Sequence, residues 1–388
     1  MKFRILFGFF FLFLPAAQAQ VLRDINYNYH YDPTGLFSLS WKVVKTDNTY
    51  KVFYEILRSD TTQEFKGLNI QLETRESLGE KSGNIISTDP ALKQAGLTGS
   101  THFPAEHGQN IIVAKITVSD QGKQKVFTYY KQLPKNKSLN LSSGNRVVTN
   151  SFIAKNQSVT LDGLESDKPI QISYYSTPFP AGAPAFSTAQ AKVAKAIKPD
   201  SAFKVNSTTP VAFTKKGLYL AQHDTSSTDG VAFRVEEDYP KLGKLESLAG
   251  PLLYICTKQE TEKLRQAGND KKKFDQVILT ITGNSERART FMRGYFKRVE
   301  WANLYFSSYK EGWKTDRGMI YIIFGLPEEV YLFDDREIWE YKNDNVKIRF
   351  QFVKSPSLFD PDNYVLIRDK KYTNTWYEMV DLWRKARF

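Results

Sequence analysis

Only one cysteine, Cys256, occurs in 388 residues, so the chain can form neither an intramolecular disulfide nor a multi-thiolate zinc site. Stability must therefore come from packed cores. Cys256 follows Leu252, Leu253, Tyr254 and Ile255 and reads as an inert packed thiol. Histidine is also scarce: His30, His102, His107 and His223 are scattered, and none stands at i, i+4 from another or beside a carboxylate cluster, so no metal is expected. The chain lacks a glycine-rich phosphate loop, a Gly-x-Ser-x-Gly elbow and a supported Cys/His arrangement. No cofactor and no catalytic residue are expected. The acidic pairs Glu236-Glu237, Glu328-Glu329 and Asp334-Asp335 read as solvated loop charge, because adjacent strand residues point to opposite faces and do not make an acid/base dyad. No apolar run approaches the roughly 20 residues of a membrane helix, so no integral span is expected.

What is present begins with a leader. Lys2 and Arg4 precede the apolar stretch Ile5 to Leu14, Pro15 breaks it, and Ala17-Gln18-Ala19 offers small residues for cleavage. Residues 1–19 thus read as a secretory signal peptide cut after Ala19, and the absence of a cysteine there argues against lipidation. The expected location is outside the cytoplasm, reached by export. The formal charge is +12, and removing Lys2 and Arg4 leaves 52 basic against 42 acidic residues, a net +10. Such a surface suits anionic glycans, lipid headgroups or acidic proteins, and nucleic acid is not the expected partner in that compartment. Lys271-Lys272-Lys273 reads as a solvated loop or helix start.

Beyond the leader the chain divides into three structured regions. Residues 20–141 read as a first β-sandwich of the immunoglobulin-like kind. Ile25, Tyr27, Tyr29 and Tyr31 alternate as one strand face, Phe37, Leu39, Trp41 and Val43 as another, and Val52, Tyr54 and Ile56 as a third. The three tyrosines are expected on the inner face, with an exposed sugar platform as the competing reading. A hairpin joins Ile111–Val118 to Lys125–Tyr130 across Asp120-Gln121-Gly122. Residues 142–240 read as a second β-sandwich, with strands at 147–152, 159–161, 170–175, 217–221 and 231–236. Pro178, Pro180, Gly182 and Pro184 forbid a central strand between them, leaving a long loop that either binds or covers, and Thr188 to Ile197 reads as a covering segment or short helix. Residues 241–388 change period and read as α+β. Helices are expected at 252–264, 272–281 and from an N-cap at Ser285, the last with Phe291, Tyr295, Val299, Ala302 and Phe306 on one stripe. Strands are expected at 319–324, 337–341 and 346–353, and a final helix at 375–385 with Trp376, Met379, Val380 and Trp383 on one face. The whole is multidomain and mainly β.

Between the long helix and the expected sheet stands Gly312-Trp313-Lys314-Thr315-Asp316-Arg317-Gly318, running on to Gly325-Leu326-Pro327. Together with Glu286-Arg287-Ala288-Arg289, Tyr295 to Asn303 and Glu337-Ile338-Trp339-Glu340-Tyr341, it resembles the signature of the GWxTD-domain family of exported proteins from Bacteroidetes and related bacteria. The likeness is strong over about 245–388. Leu326 departs from the Gly-Pro-Pro common in the family. The resemblance implies a bacterial envelope-associated protein, located in the periplasm or at the outer membrane, and supplies no catalytic residue.

Read on its own chemistry, Gly312 is placed to end the long helix as a left-handed C′ residue, with Trp313 covering that end. Asp316 is placed to hold the turn into a strand by accepting backbone N–H groups. Gly312, Trp313, Thr315, Asp316, Gly318, Gly325 and Pro327 are accordingly expected to be structural, with a partner-binding role as the alternative. The leading functional expectation is a non-catalytic envelope protein acting through protein–protein contacts with other envelope proteins. A glycan- or peptidoglycan-binding protein is the alternative.

Overall fold

The computed structural model describes residues 21–59, 66–86, 97–120, 123–162, 169–176, 178–188, 197–207, 209–226, 230–343 and 346–388. The expected leader, residues 121–122 of the expected hairpin turn and residues 189–196 lie outside the described residues.

Alternating apolar residues build the first sandwich from β1 (Phe37–Lys45), β2 (Thr49–Arg58), β3 (Lys66–Arg75), β4 (Asn84–Ile86), β5 (Leu97–Pro104), β6 (Ile111–Asp120) and β7 (Lys123–Gln132). Sheet β1-β2-β5 faces sheet β4-β3-β6-β7 across one core, to which Trp41, Val52, Tyr54, Ile56, Ile112 and Ile116 contribute. The β6–β7 hairpin pairs Val118 with Lys125 and Asp120 with Lys123.

The tyrosine segment forms no strand. Leu22–Asp24 and Asn28–Tyr31 are 3₁₀ turns, and the segment is a strap between the first sandwich and the C-terminal region. Asn26 gives the physical reason. Its side-chain oxygen accepts N–H bonds from Asn28 (3.0 Å) and Val330 (2.9 Å), a local alternative to a ladder. Tyr27 is fully buried, while Tyr29 and Tyr31 are half-buried against other rings, which removes the tyrosine platform.

The second sandwich contains β8 (Asn140–Ser143), β9 (Arg146–Val147), β10 (Phe152–Ala154), β11 (Ser158–Asp162), β12 (Ile170–Tyr175), β13 (Ser201–Val205), β14 (Val211–Ala212), β15 (Gly217–Gln222) and β16 (Val231–Glu236). Sheets β10-β16-β15-β12-β13 and β14-β11-β8-β9 share a core around Ile172, Tyr219 and Phe233. The single strand expected at 147–152 is instead split between the two sheets. Glu236 is not solvated loop charge: it is buried and paired with Arg234 and Lys216.

The C-terminal region contains α1 (Leu245–Leu248), α2 (Lys258–Ala267), α3 (Lys271–Thr282), α4 (Ser285–Phe306), α5 (Asp316–Phe324), β17 (Glu329–Leu332), β18 (Arg336–Asn343), β19 (Val346–Lys354), β20 (Tyr364–Leu366) and α6 (Thr373–Arg384). The helix expected from Leu252 starts at Lys258, because Thr257 and Glu260 form a capping box there. Asn284, not Ser285, caps α4. The α4 stripe is buried as its spacing predicts, as are Trp376, Val380 and Trp383 on α6.

The largest correction concerns 319–324. This apolar run is the helix α5, capped by Thr315, and Met319 to Ile323 are almost wholly buried. A helix enclosed on all sides is apolar all round and loses the amphipathic period that would separate it from a buried strand. Its rings meet both neighbours: Tyr321 meets Phe306 of α4, and Phe324 meets Phe350 of β19. No helix among the described residues is long and apolar enough to cross a membrane.

Candidate functional site

α4 ends at Phe306, and Gly312 opens a 3₁₀ turn over Gly312–Lys314 instead of closing the helix in a left-handed conformation. Its need for glycine is steric. A Cβ on Gly312 would lie 2.1 Å from the Ala302 carbonyl oxygen, and one on Gly318 would lie 1.9 Å from the Gly312 carbonyl oxygen. Three backbones, those of α4, the turn and α5, therefore touch without side chains between them.

Polar groups complete this contact. The Gly312 N–H is shared between the Tyr239 hydroxyl (3.0 Å) and the Ser307 hydroxyl (3.1 Å). Asn303, fully buried on α4, accepts the Trp313 N–H at 3.0 Å and donates to the Pro240 carbonyl at 2.8 Å. Trp313 is buried beside Gly250 and edge-on to Tyr254, whose hydroxyl donates to the Trp313 carbonyl at 3.0 Å. Thr315 donates its hydroxyl proton to the Gly312 carbonyl (2.7 Å) and accepts the Gly318 N–H (3.0 Å), so it, not Asp316, is the local cap.

Asp316 instead works at long range. It meets Arg368 through two oxygens (2.6 and 3.1 Å) and accepts the Leu366 N–H at 2.8 Å, with both charged side chains buried. With both oxygens engaged, the carboxylate is fixed in place between Arg368 and the Leu366 backbone. Arg368 also donates to the Ala183 carbonyl at 3.0 Å. The Gly182 N–H reaches the Lys314 carbonyl at 2.8 Å, and the Asp369 N–H reaches the Ala185 carbonyl at 3.1 Å. The proline-rich loop of the second sandwich is thus a covering loop docked onto the signature. A Cβ on Gly182 would come within 2.5 Å of Asp316 Oδ1.

Further buried charge ties the modules together. Arg234 of β16 donates to the Tyr309 carbonyl (2.9 Å) and pairs with Glu236 (2.5 Å) and Glu311 (3.6 Å). Glu337 of β18 accepts from the Tyr31 hydroxyl (2.7 Å), the Trp339 indole (2.7 Å) and Arg317 (3.0 Å), which anchors the N-terminal strap. Gly325, with φ +86°, caps α5, and its carbonyl accepts the Tyr341 hydroxyl at 2.9 Å. Pro327 behind it is buried, and Leu326 faces outward.

Residues 217–385 match the GWxTD domain. The chain is a GWxTD-domain-containing protein. No curated protein matches it. The match begins at Gly217, the first residue of β15, so the GWxTD domain takes in the last two strands of the second sandwich as well as the α+β region. Arg234 and Tyr239 supply a physical reason, since both bind the turn that carries the signature.

The structure gathers Gly312, Trp313, Thr315, Asp316 and Gly318 into one junction and places Gly325 and Pro327 at the far end of α5. Sequence reasoning missed Arg368 and Tyr239, and it singled out Asn303 and Gly182 without giving them a place in the junction. The bulk of the loop around Gly182 was visible as a strand breaker, but the 52-residue separation of Asp316 and Arg368 leaves no local signal. Among the described residues no group of three metal-ligating side chains converges. Burial pushes the Cys256 thiol up to about 12, with Glu260 adding to the shift, which suits an unreactive packed thiol.

Proposed function

We propose that this protein is a non-catalytic scaffold of the bacterial cell envelope, exported to the periplasm or the outer membrane, where it acts through contacts with other envelope proteins as a subunit of an assembly. The observation that carries this reading is the fate of the signature. Its side chains are spent on welding the second sandwich, the long helix and the C-terminal sheet together, and the result is a joined set of modules with fixed outer surfaces. The leader-like first nineteen residues support export, and the basic composition favours acidic partners.

Purification of the natively tagged protein from its own bacterium, followed by reconstitution from separately purified components, tests the proposal. A complex of defined stoichiometry is expected to re-form. Turnover of peptidoglycan or peptides by the purified chain, abolished by a single carboxylate substitution, would overturn it.

A further inference from the structure

The seam between the two sandwiches holds two adjoining clefts, of about 420 and about 260 Å³, that share Glu55, Arg146, Val147 and Thr149. The larger lies within the roughly 300–1,000 Å³ typical of small-ligand sites, which favour the boundaries between domains. Strand register makes the floor of the smaller cleft, which reaches the larger one through Glu55. Phe53 lies opposite Ser100 and Glu55 opposite Thr98, so these four side chains share the outer face of sheet β1-β2-β5, while Val52, Tyr54 and Ile56 point into the core. The β8–β9 hairpin of the second sandwich forms the wall.

This lining is unlike the signature junction, where Asn303, Thr315 and Asp316 are each held by two or more hydrogen bonds. Among the described residues the side chains of Thr98, Ser100, Asn145, Thr149 and Asn150 make no hydrogen bond to the protein, although all line the clefts. Glu55 and Arg146 stand 4.0 Å apart, with no other ion pair for either among the described residues, and the Arg146 side chain is 80% exposed. That spacing lets one hydroxyl donate to the carboxylate while another accepts from the guanidinium. Phe53 and Phe152 are half-buried and offer ring surface among these groups.

We propose that this seam binds an oligosaccharide. Sugars carry closely spaced hydroxyls, which paired amide, carboxylate and guanidinium side chains meet, and an apolar C–H face that lies on an aromatic ring. An extended peptide would be held by a row of backbone bonds and by apolar pockets for alternate side chains. The seam presents side-chain hydrogen-bonding groups in their place. This inference stands apart from the scaffold reading, because either can hold without the other.

Saturation-transfer NMR of the full chain with chitotetraose, cellotetraose and tetragalacturonate tests it. At least one saccharide is expected to receive magnetisation, with affinity falling roughly tenfold in Phe53→Ala and in Arg146→Ala. The exposed Arg146→Ala variant should unfold like the parent, so a loss of binding there cannot be a loss of fold. The proposal is overturned if none of the three saccharides binds, if binding survives both substitutions, or if only a Val-Thr repeat peptide binds.

Discussion

The core of the first sandwich is built mainly from hydrocarbon and ring edges: Val52, Ile56, Ile112, Ile116 and Val118 meet Phe37, Tyr54 and Phe103. Its buried Glu73–Arg75–Lys115 cluster lies on the other face of β3, away from that core. The GWxTD domain has a comparable apolar centre, yet it also encloses Asn303, Asp316, Glu337 and Glu340 and lets glycine backbones touch. Hydrocarbon packing is non-directional and tolerates swaps that keep volume. Backbone contact and buried ion pairs depend on particular atoms, and removing one partner leaves the other desolvated and uncompensated. The signature is therefore where single substitutions should cost most.

Gly318→Ala gives the sharpest contrast. Its new Cβ would press on the Gly312 carbonyl, and a loss of about 4 kcal/mol or more is expected, read as a collapse of the urea midpoint or of soluble yield. Parent-like unfolding would show that the three-backbone contact can yield, and the comparison would fail.

Asp316→Ala should cost about 3–5 kcal/mol by stranding Arg368 in the interior. Combining it with Arg368→Met should recover part of that loss, because the orphaned charge is gone. Additive losses in this double-mutant cycle would mean that the pair is not coupled.

His30 tests the strap that joins the two regions. Burial holds its imidazole down at about 4, partly offset by its bond to the Thr128 carbonyl at 3.0 Å. As pH falls below the ordinary histidine value, the unfolded chain takes up a proton that the folded chain refuses until about pH 4. Stability should fall across that window by about 1–3 kcal/mol, and His30→Gln should flatten the dependence. An unchanged pH profile in that variant would place the titration elsewhere.

Within the first sandwich, Ile116→Val should cost only about 0.5–1.5 kcal/mol, because the site loses one methyl group from a fully apolar setting. A cost equal to that of Asp316→Ala would erase the distinction between the regions. The smallest effect is expected at Cys256, which should resist iodoacetamide at mildly alkaline pH in the folded chain and react once the chain is unfolded. Rapid labelling of the folded state would show that its thiol is open.

Much of the fold can be read where one face of an element is wet. The alternation along β1, β2 and the Lys115 to Ser119 half of β6 and the stripe of α4 survive in the sequence because solvent imposes a polar face opposite the apolar one. The signature residues could likewise be picked out as a junction between the long helix and the next element of the chain. Tertiary structure alone decided that 319–324 is a helix, since a segment buried on every side has no wet face to print a period. It alone turned the tyrosine segment into a strap, because the bond from the Val330 N–H to Asn26 spans 304 residues. The same holds for Asp316, whose partner Arg368 and covering residue Gly182 come from distant parts of the chain, and for the seam cleft, which needs two separately folded sandwiches before it has walls. Local sequence records the demands of solvent and of neighbours a few residues away, while contacts between distant segments are settled only when their cores bring them together.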